Sequence, residues 1–268
     1  MHLTQQQNQE YKDRGVFFPV TLMQPDETEK HVNRLCAIEA EHGPMHYRVK
    51  PYLILRSAYE IATNPLLLDA VESVLGPNIL LWDSSYVIKE PSSEGFISWH
   101  QDLTYWGLQM DSDDDLVTAW VALTPATVEN GCMQFVLDSH RQGRFEHQDT
   151  YDENNILHRG QSIQNNFDPD LIEQIELQPG QASLHHGWAV HSSNQNTSNQ
   201  RRVGLTFNYV KTSVRQTVGQ EESATLVRGK DEYGHFLPEP KCESDFASAN
   251  VNFQLAAEKK KREVYDTA

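Results

Sequence analysis

The sequence predicts a mainly β, α+β fold with a β-sandwich or β-barrel core, in one domain that spans residues 1–268. Two observations support this fold class. Helical patterns concentrate in residues 21–77, and short strand patterns separated by turns fill residues 78–212. A chain of this length can bury a sizeable core, so its folding requires neither a disulfide nor a structural metal.

Two helices are predicted in the first third of the chain. One opens at Pro25, where a proline in the first turn and the acidic residues that follow suit the positive end of a helix dipole. The other begins after Asn64, a residue type favoured at helix N-caps, and stops at Gly76. A further helix is predicted over residues 253–264, where a run of charged side chains indicates a surface that faces solvent.

Short β-rich segments account for the predicted core. Turn pairs such as Asn130-Gly131 and Pro179-Gly180 separate them. Residues 140–170 are polar, aperiodic and too numerous for a simple connection, which is typical of functional lids or of disorder. The predicted strands cover residues 15–20, 79–89, 95–100, 117–123, 133–136, 181–191 and 203–210.

Composition argues against several classes of function. The formal net charge is −16, which does not suit nucleic acid, because phosphates are bound through Lys and Arg. Three widely spaced cysteines, Cys36, Cys132 and Cys242, indicate reduced thiols. The first residues lack the pattern of a secretory signal, and no apolar run reaches membrane-spanning length. We therefore expect a cytoplasmic protein that acts on a small molecule and has no membrane partner.

His100 and Asp102 are the leading candidates for a metal site. Residues i and i+2 of a strand face the same way, so both side chains can reach one ion, and His191 can supply a third ligand. Two imidazoles and one carboxylate leave open positions on an octahedral ion, which suits non-haem Fe(II) that holds a cosubstrate and O₂. His185 has the same strand parity as His191 and is the alternative third ligand if Gly187 introduces no bulge.

These residues lie in segments that resemble the phytanoyl-CoA dioxygenase family of Fe(II)- and 2-oxoglutarate-dependent oxygenases. The resemblance implies a double-stranded β-helix, or jelly-roll, core with helices packed on its outer face. It also implies Fe(II) bound by His100, Asp102 and His191, with 2-oxoglutarate as the cosubstrate. The matching segments are residues 15–19, 98–103, 119–120, 130–132, 138–140 and 191–202.

Arg202 is the predicted partner of the distal 2-oxoglutarate carboxylate. A planar guanidinium suits a carboxylate, and Arg202 matches the position of the arginine in the family. Strand parity supports this choice, because Arg202 shares a face with small and polar residues. Arg201 shares the opposite face with apolar residues and can reach solvent. Ser193 matches the family hydroxyl that supports the same cosubstrate.

Further residues are predicted near the cosubstrate or the substrate. Lys89 and Trp120 match positions that often approach the cosubstrate, although a solvated lysine and a core tryptophan are the alternatives. Gln101, whose parity is opposite to that of its neighbours, is expected at the rim of the pocket beside the cosubstrate. The aromatic side chains of Tyr105 and Trp106 suit an apolar or cation-binding wall of the substrate pocket. The candidates for substrate contact are Tyr105, Trp106, Arg144 and His158.

The predicted activity is hydroxylation of a small metabolite, with release of succinate and CO₂. Asp102 favours hydroxylation over halogenation, since related halogenases carry a small residue at that position. An organophosphonate such as 2-aminoethylphosphonate is a candidate substrate, with Arg141, Arg144 or Lys89 available for the phosphonate. Two alternatives are a cupin-like metal-dependent isomerase, which has no need for Arg202, and a non-catalytic jelly-roll binding protein, which needs no Fe(II).

Overall fold

The computed structural model describes residues 2–104, 106–218 and 222–267, without the side chains of residues 158 and 263–267. It confirms the predicted jelly-roll core with helices on its outer face. The helices are α1 (Gln5–Arg14), α2 (Pro25–His42), α3 (Arg56–Ala62), α4 (Pro65–Leu75) and α5 (Ser248–Thr267). Within the described ranges, no helix combines the length and the apolar character needed to cross a membrane.

Thirteen strands are found in the described residues, in three sheets. They are β1 (Val16–Thr21), β2 (Ile79–Lys89), β3 (Ile97–His100), β4 (Leu108–Gln109), β5 (Leu116–Ala122), β6 (Met133–Val136), β7 (Ile172–Ile175), β8 (Gln181–His186), β9 (His191–Ser193), β10 (Arg202–Lys211), β11 (Arg215–Gln216), β12 (Ser223–Arg228) and β13 (Leu237–Pro238). The order is β1-β8-β5-β10-β2-β12-β13 in the large sheet, β3-β9-β6-β7 in the smaller one, and β11-β4 in a ribbon.

Helix ends follow the signals in the sequence. Pro25 occupies the first turn of α2, and the Asn64 side chain caps α4 by accepting a hydrogen bond from the Leu66 N–H at 2.8 Å. Helix α4 ends at Gly76, whose φ of 83° lies in the left-handed region that favours glycine. Helices α1 and α3 were not predicted, because α1 is polar with little apolar periodicity and α3 is short.

The large sheet extends beyond the predicted core range of residues 78–212. Strand β1 pairs with β8 at one side, and β12 with β13 continues the sheet past β2 on the other. The centre of the sheet is β10, which pairs antiparallel with both β2 and β5. One face of β10 packs against the helices in the main apolar core, through Val203, Leu205, Phe207 and Tyr209. The other face turns toward the smaller sheet.

The predicted strand over residues 181–191 is wrong as a single element. Strand β8 ends at His186 in the large sheet, and the chain then turns so that His191 begins β9 in the smaller sheet. A Cβ atom on Gly187 would lie only 2.5 Å from Leu103 Cγ, so this crossing requires glycine. The turn brings His191 to face His185, with ring centroids 5.0 Å apart.

Helix α5 is longer than predicted, and its charged run is not uniformly solvated. Lys261 is 1% exposed, and its ammonium lies 3.3 Å from Asp83 Oδ2. Lys259, two residues earlier, is exposed. The expectation of a solvent-facing helix is therefore wrong for the side of α5 that carries Lys261, which reaches into the protein and contacts Asp83 and the Trp82 ring.

A substitution at Gly204 tests how tightly the inner face of β10 packs. A Cβ atom there would lie 2.0 Å from Trp120 Cζ2, so Gly204→Ala must displace the indole. We expect the variant to lose about 1–3 kcal/mol of unfolding free energy, as overpacked cores do, measured by urea unfolding. Gly95→Ala is the control, since its Cβ would meet only the flexible end of Ile156, at 3.1 Å. Equal loss in both variants would contradict the prediction.

Candidate active site

A cavity of about 180 Å³ lies between the inner faces of the two main sheets. Its walls come from β2, β5, β8 and β10 on one side and from β3, β6 and β9 on the other. Polar and apolar side chains both contribute to its walls. The lining includes Tyr47, Asp83, His100, Asp102, Trp106, Thr118, Trp120, His185, His191, Ser193, Arg202 and Asn208.

His100, Asp102 and His191 meet at one point in this cavity. One ligand atom from each lies within 4.8 Å of the other two. His100 ends β3 directly opposite His191 at the start of β9, and Asp102 opens the turn that follows β3. Each histidine Nδ1 contacts the backbone oxygen two residues earlier, Ser98 O or Ala189 O, at 2.9 Å. These contacts fix the rings and leave both Nε2 atoms directed at Asp102, at 3.5 and 3.8 Å.

The protonation states of His191 and Asp102 suit a metal ion. Burial, reinforced by His100, lowers the pKa of His191 to about 3, so its imidazole is neutral. Burial alone would raise the pKa of Asp102, but the neighbouring histidines hold that pKa well below its usual range. Metal binding requires neutral imidazoles and an ionised carboxylate. This donor set leaves part of an octahedral shell open, and it fits Fe(II) of the non-haem oxygenase type.

His185 lies beside the triad without joining the metal-ligand group. Its Nε2 is 3.5 Å from Asp102 Oδ2, the oxygen that also accepts a 3.4 Å hydrogen bond from Thr118. Neither ring nitrogen of His185 makes a hydrogen bond with another described residue. The geometry therefore places His185 against the carboxylate ligand, where it can orient Asp102, and favours His191 as the third ligand.

Arg202 lies in the cavity, as strand parity predicts, whereas Arg201 points outward and pairs with Glu39 and Glu90. Arg202 is 1% exposed, and burial lowers its pKa to about 10, which leaves it charged at neutral pH. Its Nη1 donates to the Gly131 carbonyl, and its Nε has no partner among the described residues.

The surroundings of Arg202 fit a bound carboxylate. The Ser193 hydroxyl is also buried and lacks a partner in the described ranges. The Trp120 ring lies beneath the guanidinium, with its centroid 5.3 Å from Cζ. Trp120 thus belongs both to the core and to the cavity wall. A buried cation and a buried hydroxyl with unused donors suit the distal carboxylate of 2-oxoglutarate, which stays a prediction for these residues.

Lys89 is buried, so the alternative of a solvated lysine is wrong. Its Nζ donates to the Ser193 carbonyl at 3.0 Å and to the Asn194 carbonyl. Burial, with a contribution from Arg202, lowers the pKa of Lys89 to about 6. Lys89 therefore holds the end of β9 in place beside the cavity.

Two predicted site residues lie elsewhere. The Gln101 side chain is buried and donates to the Gly143 and Trp188 carbonyls, while it accepts from the Phe145 N–H, each at 2.8 Å. Its amide is thus occupied by backbone, not placed at the rim beside a cosubstrate. Arg144 is exposed and lines a separate, open surface pocket.

The other three candidates for substrate contact have different outcomes. Trp106 lines the cavity, as predicted, and is 7% exposed. Tyr105 and the side chain of His158 lie outside the described residues. Sequence analysis missed Tyr47 and Asp83, which also line the cavity. Neither belongs to a motif, but the parity of β2 could have identified Asp83, because Asp83 shares a face with Lys89.

A jelly roll that brings two histidines, a carboxylate and a buried arginine to one cavity defines an oxygenase of the iron and 2-oxoglutarate type. The chain belongs to the phytanoyl-CoA dioxygenase (PhyH) family, whose model matches residues 25–204. This membership agrees with the enzyme class and the cofactor class that the sequence predicted.

Relatives support the same family. The structure resembles a non-heme monooxygenase, ThoJ, with 32% identity, a TM-score of 0.85 and 97% of each chain covered. A Caenorhabditis elegans phytanoyl-CoA dioxygenase domain-containing protein 1 homolog is 30% identical over 48% of this chain and 45% of its own length. A probable alpha-ketoglutarate-dependent hypophosphite dioxygenase of Stutzerimonas stutzeri is 27% identical over 59% of this chain and 54% of its own. The chain spans about half of the length of these curated relatives.

The triad and His185 should respond differently to substitution. His100→Ala, Asp102→Ala and His191→Ala each remove one of three ligands, so we expect loss of Fe(II) binding with the fold retained. His185→Ala removes only a neighbour of Asp102 and should weaken the metal by about 10–100-fold. Anaerobic Fe(II) titration measures both effects, with circular dichroism as the control for folding. If His185→Ala abolishes metal binding while His191→Ala does not, the third ligand is assigned incorrectly.

The two neighbouring arginines provide a matched pair for 2-oxoglutarate binding. Arg202→Ala should cost about 2–5 kcal/mol, because it leaves a buried carboxylate unpaired. That corresponds to roughly 30-fold to several-thousand-fold in 2-oxoglutarate affinity. Arg201→Ala, on the outer face, should have a far smaller effect, and Arg202→Lys should restore only part of the loss. Equal losses at both arginines would show that Arg202 does not bind the distal carboxylate.

Proposed function

We propose that this protein is an Fe(II)- and 2-oxoglutarate-dependent hydroxylase of a small metabolite. The observation that carries the proposal is the position of Arg202 and Ser193, two buried groups with unused donors, in the same cavity as the triad. A metal-dependent isomerase needs the triad but has no use for this arginine. A non-catalytic binding protein needs neither.

In this reaction, R–H, 2-oxoglutarate and O₂ give R–OH, succinate and CO₂, and the bound iron supplies the oxidising chemistry. The chain holds the triad at the end of β3 and the start of β9. It pairs the distal carboxylate with Arg202 and Ser193, which orients the cosubstrate relative to the metal ligands. Apolar side chains such as Met133 and Leu157 line the rest of the cavity and exclude water. Asp102 fills the position where a halide would need space, which favours hydroxylation.

The substrate is a small molecule or a small part of a larger one, because the cavity measures only about 180 Å³. An organophosphonate such as 2-aminoethylphosphonate is a second, finer candidate, supported by the hypophosphite dioxygenase among the relatives. Against a phosphonate, Arg141 pairs with Asp13 at the surface and Arg144 is exposed. A phosphonate in the cavity would therefore compete with 2-oxoglutarate for Arg202.

Anaerobic titration with Fe(II) and 2-oxoglutarate, followed by succinate measurement in air, tests the proposed function. We expect one Fe(II) and one 2-oxoglutarate per chain, with slow succinate release that a true substrate accelerates. Asp102→Ala should release none, because the metal is lost. Asp26→Ala, at an exposed position on α2, is the control and should behave as the wild type.

The alternatives give different results in the same experiment. Metal binding without 2-oxoglutarate binding would favour the isomerase. Absence of Fe(II) binding in correctly folded protein would favour the binding protein, and either outcome would overturn the proposed hydroxylase.

A further inference from the structure

The cavity contains one charged side chain that the proposed function does not use. Among the described residues that line it, Arg202, Asp102 and Asp83 carry formal charges when histidine is neutral. The proposed function assigns Arg202 to 2-oxoglutarate and Asp102 to the metal, and it gives Asp83 no role. Asp83 is 8% exposed and lines the cavity, and one of its carboxylate oxygens lies 3.3 Å from Lys261 Nζ.

Asp83 lies at the end of the cavity away from Arg202. Asn208, its partner on β10, is separated from Arg202 by about 20 Å along that strand. Asn208 Nδ2 donates to Thr118 Oγ1 at 2.9 Å, and that hydroxyl donates to Asp102 Oδ2 at 3.4 Å. Asp83 is therefore two strand spacings, about 10 Å, from the strand that supports the metal ligand. A short alkyl chain can bridge that distance.

The corner around Asp83 already accommodates an alkylammonium group from this chain. Lys261 Nζ lies 3.3 Å from Asp83 Oδ2 and 3.2 Å from the centroid of the Trp82 ring. It reaches this corner from α5. Trp106 packs edge-on against Trp82 at 5.4 Å and itself lines the cavity. Aromatic rings beside a carboxylate are a recurring environment for cationic nitrogen.

Two buried carboxylates lie near the ammonium of Lys261 in this corner. Asp83 and Glu222 are 8% and 4% exposed, and Lys261 Nζ is 3.3 Å from Asp83 Oδ2 and 4.0 Å from Glu222 Oε2. Lys50, on the same side of the sheet, pairs with Glu239 at 2.7 Å and so is already neutralised. Buried charge without compensation is costly. A cationic ligand at Asp83 would reduce that cost, whereas an anionic ligand would increase it.

We propose that the substrate carries a cationic nitrogen, an ammonium or guanidinium group, that binds Asp83 beside Trp106. This inference rests on the proposed function for the reaction and adds the class of substrate. The cation holds one end of the substrate at Asp83, so that a C–H bond a short alkyl chain away reaches the metal ligands. Cationic small molecules then bind in preference to neutral ones of the same shape.

Three probes of similar size and different charge test this inference: n-butylammonium, n-butanol and n-propylphosphonate. Each is titrated calorimetrically, without oxygen, into enzyme loaded with Mn(II) and 2-oxoglutarate. We expect n-butylammonium to bind at least about tenfold more tightly than n-butanol, since a hydrogen bond to a charged group contributes that much. Asp83→Asn should remove the preference. Asp26→Asn makes the same change at an exposed position and should retain it.

A second variant keeps the test valid if Asp83→Asn does not fold. Lys261→Met removes the ammonium that offsets Asp83, so the affinity for n-butylammonium should rise. Lys259→Met, an exposed position in the same charged run, should leave that affinity unchanged.

Several results would overturn the inference in enzyme that binds Mn(II) and 2-oxoglutarate. These are equal affinity for n-butylammonium and n-butanol, tighter binding of n-propylphosphonate, no binding of n-butylammonium, or no gain in Lys261→Met. Failure to bind 2-oxoglutarate would be a different outcome, because it would overturn the proposed function itself.

Discussion

The register of β10 between β2 and β5 is the constraint on which the site depends. Side chains alternate along a strand, so the apolar set that packs against the helices, including Leu205 and Phe207, fixes which residues face inward. A shift by one residue would bury Arg202 among the helices and fill the cavity with apolar side chains. The hydrophobic effect on the outer face therefore positions the polar chemistry on the inner face. Gly204 and Trp120 reinforce this register, because the indole occupies the space that a side chain at Gly204 would need.

Much of the fold could be predicted because its signals are local. The bounds of β2, β6 and α4 follow from apolar runs, turn residues and caps that lie within or beside each element. The division of residues 181–191 into two strands was not predicted, because Gly187 alone does not indicate whether the chain continues, bulges or crosses to another sheet. What requires glycine there is the close approach of Leu103, a residue distant in sequence. The burial of Lys261 could not be predicted either, because a run of charged residues does not indicate which one of them is buried.

The candidate site likewise has residues that could be predicted from the sequence and residues that could not. The spacing of His100 and Asp102 together with a downstream histidine predicts the triad, and the inward direction of Arg202 follows from parity. Strand β3 ends at His100, however, so the expectation that His100 and Asp102 share a strand was wrong, as was the parity argument for Gln101. Arg144 was predicted from its charge alone, and it lies at the surface. Asp83 carries no motif; the parity of β2 indicates which face it is on, and the pairing of β2 with β10 then places it opposite Asn208 at the cavity. Site residues could thus be predicted where residues close in sequence define them. They could not be predicted where the site depends on residues paired across strands.

The hydrogen bonds of Gln101 have a consequence for the order of events at the metal. Gln101 lies between two metal ligands and binds the backbone of residues 143–145 and of Trp188, three residues before His191. Any movement of that peptide is transmitted to the 143–145 segment and to the turn that presents the third ligand. Whatever stabilises the peptide therefore stabilises all three together, by thermodynamic linkage. Metal binding and the order of the neighbouring loop are therefore linked, so a change that weakens the hydrogen bonds of Gln101 also weakens the metal site.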